Sequence, residues 1–268
     1  MTPFGISYTT KANKILFSAA LAALAIWVFW VPAMQLPDAV RNLPFAWDYV
    51  SGMLPPDLSI ISTLGEPLAQ TVQMALGGTA LATLAALPLS FLGAINTSPS
   101  RLVCNVARAT LNILRSMPAM IWAMLFVSLC GLGTLAGVFG IACHAAGALG
   151  KMFVECIEAT GPKILEMLEA MRLDGATEWQ TVRWGVFPEV TPLFASYVLY
   201  RVEATIRIST MMGFVGAGGL GLYLTMAIRL FRRQEAMTII LAILALVTIA
   251  DFASTRMRLY ILKEGGYE

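Results

Sequence analysis

Two long stretches without a formal charge decide what this chain can fold into. Pro67–Ser100 and Ser116–Gly150 contain no Asp, Glu, Lys or Arg over 34 and 35 residues. An apolar helix of about 20 residues crosses the hydrocarbon core of a bilayer. Of all residues, 58% are hydrophobic and 13% charged, against about 25% charged in a soluble domain. The mean hydropathy is +0.74. The chain therefore reads as an all-α membrane protein. A net charge of +2 makes no case for nucleic acid. The four cysteines form no CxxC pair, and a single histidine, His144, excludes a multi-histidine metal site.

Six transmembrane helices are expected. The first is Ile15–Met34, an uncleaved anchor rather than a signal peptide, whose apolar core is only about 7–15 residues. A polar, proline-rich segment, Gln35–Glu66, follows. The second span lies within Pro67–Ser100, kinked at Pro88. The turn signal Gly131-Leu132-Gly133-Thr134 divides Ser116–Gly150 into spans three and four, the third starting before Arg115 and the fourth running past Lys151. Spans five and six cover roughly Pro192–Phe214 and Ala236–Thr255.

Placing the N-terminus inside puts twelve Lys and Arg residues in the cytoplasm and four outside, with Arg201 and Arg207 inside span five. The bias predicts an N-in, C-in topology. Arg229, Arg232 and Arg233 run against it, and a short amphipathic helix over Leu222–Arg233 on the outer surface accounts for them.

No nucleotide-hydrolysis motif is present. Gly150-Lys151-Met152 lacks the upstream glycine and the Ser/Thr of a phosphate-binding loop. Gly216-Ala217-Gly218-Gly219-Leu220-Gly221 matches GxGxxG in letters, but it follows a membrane span instead of a strand. Gly216, Gly218 and Gly219 read as a breaker ending span five. Pro118, with these three glycines, reads as a gate or kink position, and His144 as a packed helix–helix hydrogen bonder.

The most informative polar stretch runs from Glu169 to Pro188 between two spans. Two short helical stretches, Pro162–Leu173 and Ala176–Val186, are joined at Asp174-Gly175, where glycine permits a sharp turn. Ile164, Leu165, Leu168 and Met171 give the first stretch one apolar side.

This pattern resembles the EAA loop of ABC-importer permeases: Glu169-Ala170, then Gly175, then Val186-Phe187-Pro188, with Met171 in place of the second alanine. Three further segments are similar to phosphonate-uptake permeases: Leu114–Ala123, His144–Lys151 with Glu155 and Glu158, and Tyr200–Arg207 followed by Gly213–Gly221. Together the resemblance covers about Glu66–Arg258. It implies the type I importer permease fold, with a core over 66–258, an anchor and periplasmic segment over 1–65, a coupling hairpin over 162–188 and a cytoplasmic tail over 259–268. It implies ATPase-coupling roles for Glu169, Ala170, Leu173, Asp174, Gly175, Ala176 and Pro188. It also implies a homodimer, a cytoplasmic ATPase dimer that holds ATP and Mg, an external substrate-binding protein, and a place in the bacterial inner membrane. The chain itself would have no catalytic residue and no cofactor.

Arg201, Glu203 and Arg207 lie inside span five, where an isolated charge costs about 2.5–3.5 kcal/mol at mid-bilayer. Glu203 and Arg207 share a helix face and can pair. Arg201 points about 200° away from Glu203. Two readings stand: a structural ion pair with a snorkelling arginine, or a cationic lining for an anionic cargo. Other classes fit less well. An ion-coupled secondary transporter needs inverted repeats and buried carboxylates. An intramembrane protease needs a nucleophile with a base. An importer of another solute, such as methionine, differs only in cargo.

Overall fold

The computed structural model describes residues 11–159, 170–171 and 173–264. Among them every regular element is helical. The chain forms two compact units, Met1–Leu54 and Pro55–Glu268.

The first unit holds α1 (Lys11–Arg41) and α2 (Leu43–Ser51). The described side chains of α1 are exposed on every side, Trp27 and Phe29 at 74% and 70%. A helix apolar on every side belongs in lipid or within a larger assembly. The first helix runs past the expected end at Met34: α1 continues to Arg41, and α2 begins with a proline in its first turn. Proline is at home there, because that N–H has no helical partner anyway.

The second unit is a bundle of α3 (Gly65–Gly93), α4 (Arg101–Ser116), α5 (Ala119–Cys130), α6 (Thr134–Glu158), α7 (Glu178–Thr181), α8 (Phe187–Met212), α9 (Gly219–Arg229) and α10 (Arg233–Glu264). A π turn, Val182–Val186, joins α7 to α8. α6 is the central helix. Its glycines let neighbours approach closely: a Cβ on Gly140 would lie 2.6 Å from the backbone nitrogen of Ala123. Small residues at such contacts are what hold helices together in lipid, where apolar burial alone gives little. Phe153 is fully buried and stacks on Phe194 of α8 at 4.0 Å. The buried Thr79 and Thr205 hydroxyls share a 2.8 Å hydrogen bond between α3 and α8.

Among the described residues four helices are long and apolar enough to cross a membrane: Phe17–Arg41, Gly65–Gly93, Thr134–Glu158 and Arg233–Ile261. Two bent pairs, Arg101–Ser116 with Ala119–Cys130 and Val182–Val215 with Gly219–Arg229, raise the number to six if each counts as one span. The third span is therefore not the single kinked helix expected. α4 and α5 meet at 88°. The residue before a proline is pushed out of the helical region, and Met117 (φ −90°, ψ 131°) and Pro118 (φ −56°, ψ 144°) are both extended.

Side chains supply donors to two of the carbonyls that the break leaves without a helical partner. Pro118 has no N–H for the Leu114 oxygen, which accepts from the Trp122 indole at 3.1 Å. The Ile121 N–H bonds to Pro118, and the Met117 oxygen instead lies 3.0 Å from His144 Nδ1. His144 is the helix–helix hydrogen bonder expected of it.

Candidate functional site

Three features named by the sequence occupy distinct places in the second unit: a polar hairpin, a charged turn of α8 and a glycine-rich corner.

Glu169 and residues 162–168 lie outside the described residues. The described part of the hairpin begins at Ala170. Gly175 has φ +88°, and Ala176 N–H donates to the Met171 oxygen at 3.0 Å. This is the six-to-one bond of a Schellman motif, with glycine in the left-handed position. Asp174 N–H closes the preceding turn on Ala170 at 3.0 Å. A Cβ on Gly175 would meet nothing within 4 Å. Glycine is thus required for its backbone angle, not for space. Leu173 beside it is 88% exposed, an apolar side chain left bare by the described residues.

The sequence contains a second turn signal that was not recognised. Thr177 Oγ1 accepts from Gln180 N–H at 3.4 Å, and Gln180 Oε1 accepts from Thr177 N–H at 2.8 Å. This reciprocal capping box starts α7, and the spacing Thr-x-x-Gln was legible in the chain. The expected second arm, Ala176–Val186, does not end as a separate helix. It passes through the π turn into α8, with Phe187 N–H bonded to the Val182 oxygen. Span five therefore begins near Phe187, not Pro192. Pro188 lies in the first turn of α8 and, with Leu87, Pro88, Phe91 and Trp184, lines an apolar cleft of about 810 Å³.

In α8, Arg207 and Glu203 form the ion pair that their spacing allows. Glu203 is buried, while the Arg207 side chain is 52% exposed. Arg201 is the exception. Its Nε and Nη2 are enclosed and have no hydrogen-bond partner among the described residues. It does not snorkel through these atoms. It lies within electrostatic reach of His144.

At the opposite end of α3 from Pro88 and Pro188, Gly216, Gly218 and Gly219 all have positive φ, of 83°, 87° and 72°. The corner they form is held by Gln70 Oε1, which accepts Gly219 N–H, and Thr71 Oγ1, which accepts Leu220 N–H, both at 2.9 Å. Gly133 N–H reaches the Gly216 oxygen at 3.2 Å. The letters of the dinucleotide fingerprint here make a helix corner, with no strand before it. The helix expected over Leu222–Arg233 is α9, Gly219–Arg229.

Residues 78–262 match the family described as binding-protein-dependent transport system inner membrane component. The phosphite transport system permease protein PtxC of Stutzerimonas stutzeri is 37% identical over 255 residues, 95% of this chain and 91% of that protein. The phosphate-import permease protein PhnE of Mycolicibacterium smegmatis is 37% identical over 212 residues, 78% of this chain but 39% of that protein's length. A probable D-methionine permease, MetI of Pasteurella multocida, is 26% identical over 168 residues. Among solved structures, an inward-facing MetNI methionine ABC transporter matches with a TM-score of 0.67 at 23% identity, over 76% of this chain and 99% of that one. With the bundle, the bent spans and the polar hairpin all in place, the chain belongs to the family of inner membrane components of binding-protein-dependent transport systems, and it has the type I ABC importer permease fold.

Proposed function

We propose that this chain is the membrane-spanning subunit of an ATP-driven importer for phosphite or a phosphonate. The observation that carries the cargo is the likeness to a phosphite permease along 95% of the chain. The methionine permease is matched over a shorter stretch and at lower identity.

The hairpin supports coupling to a separate ATPase. A capped turn with a bare leucine at its tip suits insertion into a groove of another protein. Glu169, Ala170, Leu173, Asp174, Gly175, Ala176 and Pro188 are the residues assigned to this contact. The π turn that follows leads straight into α8, so a push on the hairpin passes to the helix that bears Arg201, Glu203 and Arg207. In this reading the transporter contains two copies of this chain, two ATPase subunits and one external binding protein, and it sits N-in and C-in. ATP and Mg stay on the ATPases. Closure of the ATPases draws the two hairpins together and opens the bundle outward; hydrolysis returns it to face inward. Arg201, with two unsatisfied nitrogens, is the cation placed to meet an anionic cargo once the bundle opens.

The test is ATPase activity in proteoliposomes holding this chain, its co-encoded ATPase and its binding protein. Phosphite or a phosphonate should stimulate it, with methionine and phosphate as comparison ligands. Stimulation by methionine alone would discard the cargo, and failure of the ATPase to associate would discard the class.

A further inference from the structure

Between α4 and α6 lies a polar cleft of about 330 Å³ that the transport reading does not use. Arg108, Asn112, Arg115, Lys151, Glu155 and Glu158 form its walls, over a floor of Leu111 and Val154. Three cations against two carboxylates leave it net positive. The cations are not equally committed. Arg108 is engaged twice: its Nε donates to the Gly93 oxygen at 2.7 Å, and Nη2 pairs with Glu158. It pins α4 to the ends of α3 and α6. Lys151 has a loose partner in Glu155 at 3.4 Å. Among the described residues Arg115 has only the Asn112 side-chain oxygen, at 3.3 Å, and the Asn112 amide N–H groups have no acceptor there.

The helix around the cleft has three faces. Cys104, Ala107 and Leu111 are buried. Arg101, Arg108 and Arg115, seven residues apart, form a cationic edge. Leu102, Val106 and Ile113 form a third face, exposed at 75%, 59% and 62%. A helix with a basic edge beside a bare apolar face is built to lie at the boundary of headgroups and acyl chains. The excess of Lys and Arg puts this end of the bundle on the cytoplasmic side, where basic pockets between helices bind anionic lipid headgroups.

We infer that the cleft seats the phosphate headgroup of an anionic phospholipid of the inner leaflet. Arg115, Asn112 and Lys151 hold the phosphate oxygens, and the acyl chains lie against the Leu102, Val106 and Ile113 face. Glu155 opposes binding by competing for Lys151. The inference rests on the membrane reading of the fold and is independent of the cargo.

Native mass spectrometry of the full chain, purified from bilayers of phosphatidylglycerol and phosphatidylcholine, tests it. Phosphatidylglycerol should be retained in preference to phosphatidylcholine. Arg115→Gln and Lys151→Gln should each lower its retention about fivefold, the effect of one cation near a charged surface. Arg115→Lys should keep it, and Arg101→Gln, on the same edge but outside the cleft, should leave it unchanged. Glu155→Gln should raise it, which a purely structural role would not do. Equal retention of the two lipids, or unaltered retention in well-folded Arg115→Gln, overturns the proposal. So does displacement of phosphatidylglycerol by millimolar phosphite, which would make the cleft a site for the free anion.

Discussion

His144 Nδ1 of α6 lies 3.0 Å from the Met117 carbonyl oxygen, the acceptor that the break between α4 and α5 leaves without a backbone donor. A carbonyl can only accept, so the ring carries its proton on Nδ1. The bond ties the corner of one helix pair to the centre of the bundle.

His144→Leu should therefore destabilise the bundle. Hydrogen bonds between membrane helices contribute about 0.6–1.7 kcal/mol, and the half-buried Met117 oxygen would also lose this donor. The expected result is a lower thermal midpoint in detergent, partly restored in His144→Gln, whose amide can donate. A midpoint equal to that of the unaltered chain would show that the corner holds without this bond.

The Glu203–Arg207 pair makes a prediction of the opposite form. Arg207→Ala leaves a buried carboxylate alone, and Glu203→Ala removes the acceptor from a half-exposed guanidinium. Each single change should reduce folded yield more than the double change does, because the double change leaves no unmatched charge. Losses that simply add would mean that the two residues act independently. The Arg207→Ala effect should exceed that of Glu203→Ala, since Glu203 is the more buried partner.

Gly175 should tolerate asparagine far better than valine. Both fit the open space, but a β-branched side chain at φ +88° is strained by about 1–2 kcal/mol, while asparagine visits this region readily. Gly175→Val should leave insertion and folding intact and uncouple ATP hydrolysis from transport. Unchanged cargo-driven uptake would remove the hairpin from the coupling path.

Thr177→Ala and Gln180→Ala each break one half of the capping box. Loss of such a cap costs about 0.5–2 kcal/mol. Amide exchange over Glu178–Thr181 should speed up in both variants, with little change in α6. If exchange stays slow, the π turn and not the cap holds this arm. A parallel fall in co-purification of the ATPase would tie the cap to docking.

Much of this architecture was legible in the chain, for reasons that differ from residue to residue. Gly175 could be read because a left-handed turn between two helical stretches calls for glycine. Glu203 and Arg207 could be read because four residues separate them on one helix. The bend at Pro118 was underestimated. A proline alone predicts a kink, and an 88° corner also needs donors for freed carbonyls, Leu114 and Met117 among them. Those come from Trp122 and from His144, 27 residues after Met117. The continuation of the hairpin into α8 was missed because a π turn has no spacing of its own; it depends on how Val186 and Val190 pack in the core.

What the sequence by itself determined is local. Uncharged runs set the number of helices that must find lipid, glycines set where the backbone can reverse, and the Lys and Arg bias sets which end is expected inside. Those are preferences of short segments and of single residues toward solvent. Tertiary structure alone decided which polar groups on different helices meet. Gln70 and Thr71 hold the Gly219 corner from 149 residues away. Arg108 is held by Gly93 and Glu158 while Arg115 bonds only Asn112 among the described residues, where the enclosed Nε and Nη2 of Arg201 also find no hydrogen-bond partner. The physical reason is that in a bilayer a polar group has no solvent to fall back on, and its partner comes from whichever helix the packing of small residues brings alongside.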